Sequence, residues 1–340
     1  MLVSNCSKSS GGASVSIPPV TDSTVFTNPL LPSGPDPWVV YDGGNYYYTH
    51  TFGDRLAIYK TRSISELRKA TPVTIWPSSG STNTYSKNIW APELHRVNGN
   101  WYMYFAADDG DNRNHRMFVL ENTSPDPLAG TWTFKGKITD ASDKWAIDGS
   151  VFQLNNQLYF IWSGWEGDTD VSQNIYIAKM SDPVTISSER VLISAPTYGW
   201  EKNGAPPAVN EGPEFIKGPT GKAFITFSAS GCWTDDYALG LLTLIDGGDP
   251  MKASDWQKTA TPIFTKSTTG SAYGPGHNGF FKSPDGTEDW IIYHANTSAG
   301  QGCGNVRSPR IQSFTWNTDG TPNFGLPVPI NMKIKKPKGE

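Results

Sequence analysis

One β-hairpin pattern returns five times along this 340-residue chain, and that repeat narrows the fold more than any other feature. Each copy opens with a residue before a short apolar strand, crosses a Gly/Asn turn and enters a second strand dense in Tyr, Trp and Phe. The copies read DPWVVYDGGNYYYTHT from Asp36, APELHRVNGNWYMYFAA from Ala91, DGSVFQLNNQLYFIW from Asp148, EGPEFIKGPTGKAFITFSAS from Glu211 and HNGFFKSPDGTEDWIIYHA from His277. Their starts lie 55, 57, 63 and 66 residues apart, and a further strand follows in each, which suits four-stranded units. Helical periodicity is confined to short pieces such as Ser63–Ala70. The expected fold is all-β, a five-bladed β-propeller, because radial repetition closes on itself and leaves only short sheet edges. A β-sandwich does not repeat an aromatic hairpin at this spacing. The expected organisation is an N-terminal extension over 1–25, the propeller over 26–330 and a C-terminal tail over 331–340.

In a propeller the innermost strands run along a central channel, so residues at equivalent strand starts converge at one end of it. Those residues are Asp36, Ala91, Asp148, Glu211 and His277. Asp36 stands between Pro35 and Pro37, which predicts a rigid, extended conformation for it. Three acids in one aromatic-lined pocket cannot behave alike, since burial and mutual repulsion drive their pKa values apart. Glycosidic bond cleavage needs that division: a protonated carboxyl for the leaving oxygen and an ionised one to activate water or attack the sugar. Glu214 lies three residues beyond Glu211, and strand alternation turns it away. Trp90 and Trp165 are candidates to pack against a sugar, although aromatic residues in β-units serve equally as core. His277 has no second His or Cys beside it, which argues against a tight transition-metal site.

The ordered set PDPWV, WAPELH, IDGSVF, NEGPEF, YGPGHNGF and RSPRIQSFTW, spread over residues 26 to 326, resembles glycoside hydrolase family 43. The resemblance implies a five-bladed propeller that hydrolyses arabinose- or xylose-containing polysaccharides with inversion. It implies Asp36 as general base, Glu211 as general acid, and Asp148 as the residue that orients the acid and raises its pKa. It also implies that Arg307 reaches the sugar and the acid cluster; strand alternation leaves its neighbour Arg310 on the other face. His277 matches a histidine that in many members is among the few protein ligands of a hydrated calcium or similar ion in the channel, an ion not required for the chemistry. The wording NHRMFVLENTSPDPLAGTW from Asn114 resembles the branch that removes terminal α-L-arabinofuranose from α-1,5-linked arabinan. The chain also ends soon after the fifth unit, leaving no room for the β-sandwich appended to many xylosidase relatives. An exo-acting α-L-arabinofuranosidase is thus the leading expectation, with endo-arabinanase or β-xylosidase as alternatives. A non-catalytic carbohydrate-binding propeller would have no need of three acids at equivalent positions.

The expected partner is an arabinan- or arabinoxylan-type polysaccharide or oligosaccharide, with the chain acting as a monomer. A net charge of -4, with no basic cluster apart from the lysines between Lys333 and Lys338, argues against nucleic acid. No run of apolar residues is long enough to span a membrane as a helix. No signal-peptide pattern opens the sequence. Secretion is nonetheless expected from the sequons at Asn5, Asn122 and Asn296 and from Cys232 and Cys303, which sit in Gly-flanked loops and could pair in an oxidising compartment, leaving Cys6 odd. The loop CWTDDYALG from Cys232 is expected to shape outer subsites.

Overall fold

The computed structural model describes residues 23–77 and 83–340; the sequon at Asn5, Cys6 and most of the expected N-terminal extension lie outside them. Among the described residues the fold is all-β, and helix is limited to four short 3₁₀ turns, one of them at Ile64–Lys69 where the sequence showed its helical piece. No helix among these residues is long and apolar enough to cross a membrane.

After a short strand β1 (Val25–Phe26), the first unit comprises β2 (Trp38–Asp42), β3 (Asn45–Thr49), β4 (Arg55–Thr61) and β5 (Val73–Pro77). The second comprises β6 (Lys87–Val97), β7 (Asn100–Asp108), β8 (Arg116–Asn122) and β9 (Thr133–Ile138). The third comprises β10 (Ala146–Leu154), β11 (Gln157–Gly164), β12 (Ser172–Asp182), β13 (Thr185–Ile186) and β14 (Val191–Ser194). The fourth is β15 (Ala208–Lys217), β16 (Ala223–Ala229), β17 (Ala238–Leu244) and β18 (Trp256–Lys258), and the fifth is β19 (Tyr273–Lys282), β20 (Asp289–Asn296), β21 (Ser308–Trp316) and β22 (Pro322–Asn323). A last strand, β23 (Ile334–Lys335), lies antiparallel to β1, and the Glu340 carboxylate accepts hydrogen bonds from Ser63, Ile64 and Ser65. Residues 331–340 are therefore tied to the first unit.

The first, second and fifth units each form a separate four-stranded antiparallel sheet. The third and fourth do not: a parallel pairing of Ser172 with Ala208 and Gln173 with Val209 fuses them into one nine-stranded sheet. Turn chemistry sets the inner hairpins of the first three units. Gly43-Gly44, Asn98-Gly99 and Asn155-Asn156 all have positive φ, as the two-residue turns that match strand twist require. The second strands bury both faces, which is why NYYYT and NWYMYFAAD read as continuous aromatic runs and not as alternation.

Each first strand touches two others: β2 touches β6 and β19, β6 touches β10, β10 touches β15, and β15 touches β19. The apolar side chains follow the same cyclic order. Five buried clusters each draw on two successive units, and one of them joins Val39, Tyr46 and Tyr48 of the first unit to Trp290, Ile292 and Ile311 of the last. The first strands of successive units are thereby held against one another, and the last against the first.

Candidate active site

A left-handed residue recurs at the head of every unit. Asp36, Ala91, Asp148, Gly212 and His277 have φ of 55, 42, 55, 54 and 47°. This corrects two expectations. Asp36 is not extended: proline disfavours right-handed helix for the residue before it, but leaves open the left-handed region that aspartate tolerates. The equivalent residue of the fourth unit is Gly212, so Glu211 stands one position earlier than its counterparts. Two constraints demand glycine there. Besides the positive φ, an added Cβ would sit 3.3 Å from the His277 ring. In four of the five units the register shifts beside this residue, between Trp90 and Glu93, Ile147 and Ser150, Glu211 and Glu214, and Gly276 and Gly279. Such bulges re-aim side chains and break the simple alternation. Non-glycine residues in this region cost roughly 1–3 kcal/mol each, and such strain concentrates at working sites.

Three of these heads, Asp36, Asp148 and His277, line a cavity of about 520 Å³ together with Glu211, Arg307 and Trp90 among others. Asp36 is buried and multiply held. Its Oδ1 accepts from Arg307 Nη1 at 2.9 Å and its Oδ2 from Thr51 Oγ1 at 2.7 Å, while its backbone N–H donates to His294 Nδ1 at 3.0 Å. Thr51 Oγ1 in turn accepts from the Ala91 N–H at 2.7 Å, locking the first unit's head to the second's. Burial works to raise the Asp36 pKa, but the Arg307 guanidinium, the two imidazoles and the Thr51 hydroxyl outweigh it and hold the carboxyl well below the usual range.

Glu211 behaves in the opposite way. Burial, reinforced by the nearby Asp36 charge, pushes its pKa up to about 7, against the opposing hydrogen bond from Tyr237 and the Arg307 charge. Asp148 is likewise driven well above the usual carboxylate range by burial and by repulsion from Glu211 and Asp36, although its Oδ2 accepts from the Gly212 N–H at 3.1 Å. The site therefore holds one ionised carboxylate beside two carboxyls that resist ionisation. Glu214 lies off the cavity. It is fully buried, accepts from Ser150 Oγ at 3.4 Å, and has its pKa raised by burial and by Glu93.

His277 Nδ1 lies 3.4 Å from Asp36 Oδ1 and 4.0 Å from Asp148 Oδ2; burial lowers its pKa, against the opposing pull of the Asp36 charge. Among the described residues no group of three or more His, Cys, Asp or Glu is arranged to hold a metal ion. Calcium takes six to eight oxygen ligands, so this donor set does not fit an ion caged directly by protein.

Trp90 lines the cavity and stacks on His115 at 4.1 Å. Trp165 does not line it, which corrects its expected role. Its ring lies behind Trp145, parallel at 4.8 Å, and Trp145 faces the cavity with its Nε1 fixed by a bond to the Asn112 carbonyl. Arg310 is buried in β21 and bonds the carbonyls of Ser271 and Asn296, whereas Arg307 precedes β21 and reaches the acids. The sequence reading missed His294, which lies on a second strand opposite Gly276, and Thr51, Trp145 and Tyr237. Cys232 and Cys303 are bonded at the rim, next to the half-exposed Trp233, and all three line the cavity. Trp233 rests against Gly231 and Gly204, where an added Cβ would come within 2.3 and 2.5 Å of its ring.

The profile of Glycosyl hydrolases family 43 matches residues 26–322. An extracellular exo-α-(1→5)-L-arabinofuranosidase of Streptomyces avermitilis is 38% identical over 319 residues, which is 91% of this chain but 65% of the relative. A protein of the same name from Streptomyces chartreusis is 37% identical over 275 residues, 79% of this chain and 82% of the relative. The crystal structure of an α-L-arabinofuranosidase from Lactobacillus brevis superimposes with a TM-score of 0.84 at 35% identity, covering 90% of this chain and 98% of that one.

Proposed function

The chain belongs to glycosyl hydrolase family 43, and we propose that it is an inverting α-L-arabinofuranosidase that releases terminal arabinofuranose from α-1,5-linked arabinan or arabino-oligosaccharides. The observation that carries this reading is the division of charge in one cavity, with Asp36 held ionised and Glu211 held protonated towards neutrality. Asp36 takes a proton from water as the water oxygen bonds to the anomeric carbon. Glu211 gives its proton to the glycosidic oxygen as that bond breaks, and both groups return to their starting states by exchange with solvent. Arg307 keeps Asp36 charged. Asp148 fixes the Gly212 backbone and, with Glu211, forms a pair that disfavours two negative charges.

The architecture we infer is a five-bladed propeller over residues 26–330, supported by the cyclic contacts of the first strands and by the five shared cores. Specificity for arabinan rests on the names of relatives, of which the first spans more than this chain does. The rim disulfide and the word extracellular in those names support action outside the cell. A hydrated calcium ion at His277 would be held largely through water and has no part in the steps above.

The test is digestion of linear arabinan with the anomer of the product followed by NMR. Single arabinose units appearing first as the β-anomer are expected. Retention of configuration overturns the role given to Asp36, and a ladder of oligomers makes the enzyme endo-acting. Trp233→Ala, at the rim, is expected to raise KM for arabino-oligosaccharides about three- to tenfold (~1 kcal/mol) with kcat on a small aryl arabinofuranoside unchanged, as steady-state kinetics would read.

A further inference from the structure

The buried hydroxyl of Tyr237 is joined to the carboxyl proposed as the proton donor. It donates to Glu211 Oε1 at 2.7 Å, and the tyrosine is almost completely buried just before β17. The direction of this bond is supported from behind. The His277 backbone N–H donates to Ser228 Oγ at 2.8 Å, and the Ser228 hydroxyl beside Tyr237 works to lower the tyrosine pKa, as a donor towards its oxygen does. With the amide occupying one side of its oxygen, Ser228 is placed to turn its own proton towards Tyr237, which leaves the tyrosine proton for Glu211. The ring is seated as carefully as the hydroxyl. A Cβ at Gly276 would lie 2.4 Å from Tyr237 Cε1, and the ring stacks on His294, the imidazole that accepts from Asp36.

Resting on the reading of Glu211 as general acid, we propose that Tyr237 is its positioning residue. By occupying Oε1 as a donor it confines the transferable proton of Glu211 to Oε2, so that one oxygen always presents the proton to the leaving group. The same bond favours the ionised form of Glu211 and so opposes the effect of burial. Tyr237 therefore trades a lower acid pKa for a proton held in one place.

Tyr237→Phe tests this, because phenylalanine keeps the ring and its stacking and removes only the hydroxyl. The alkaline limb of kcat/KM reports the free enzyme's acid and is expected near pH 7 in the unaltered protein. Loss of a donor to the carboxylate raises that pKa, so the limb should move up by about one pH unit. At the optimum kcat should fall about tenfold on arabino-oligosaccharides, with KM within a factor of two. The other groups facing Glu211 (Asp36, Asp148, Arg307 and, across Gly212, His277) are untouched by the change. Ser228→Ala, one bond further back, should move the limb the same way by less. A limb that stays in place or moves down in Tyr237→Phe, with a native thermal transition, overturns the proposal. If Glu211→Gln remained active, the underlying assignment of the acid would fail instead, so the two failures are distinguishable.

Discussion

Glu211→Gln is expected to lower kcat/KM on linear arabinan by about 10²- to 10⁴-fold, the contribution usual for a positioned proton donor. Glutamine keeps the length of the side chain and can still accept from Tyr237, so substrate binding should persist. The diagnostic lies in the leaving group. A dinitrophenolate departs without protonation, and on such an arabinoside the loss should shrink to about tenfold or less. Equal losses on the activated aryl glycoside and on arabinan would remove Glu211 from its role.

The second large effect is Asp36→Asn. An amide cannot take a proton from water, so the rate should again fall by about 10²- to 10⁴-fold, and by the same factor whatever the leaving group. This change also strips the Arg307 guanidinium of its charged partner at 2.9 Å in a buried setting. A melting curve and a binding isotherm for arabinose-containing oligosaccharide should therefore accompany the kinetics. Retained binding with lost turnover supports the base; turnover above one-tenth of the original rate sinks it.

The repeat made most of the architecture legible, because turn dipeptides and doubly buried aromatic strands are local signals. What the sequence concealed was the backbone conformation at the head of each unit. The acid was the natural anchor for the fourth copy, yet Gly212-Pro213 lines up with Asp36-Pro37 and Ala91-Pro92. An alignment on the residue-proline step would have placed Glu211 one position early. The same step misled about Asp36, since proline's restriction on its neighbour excludes one region without choosing between the other two. Trp145 and Trp165 could not be separated by pattern, because which of two stacked indoles meets the cavity depends on the loop bearing Asn112, some thirty residues away in sequence. His294 lies on a second strand and Tyr237 just before a third, where composition reads only as core. The union of the third and fourth sheets rests on two pairs of parallel residues, too short to leave a trace in the sequence.

The Cys232–Cys303 link gives this chain two chemically different versions. It closes a 71-residue separation and ties the loop bearing Trp233 to the one leading into Arg307, and so to the partner of Asp36. None of the five shared cores depends on it. A preparation from a reducing cytosol and one from an oxidising compartment would share a framework yet differ in how firmly the mouth of the cavity is drawn together. The redox history of a sample thus belongs beside pH and temperature when its activities are compared.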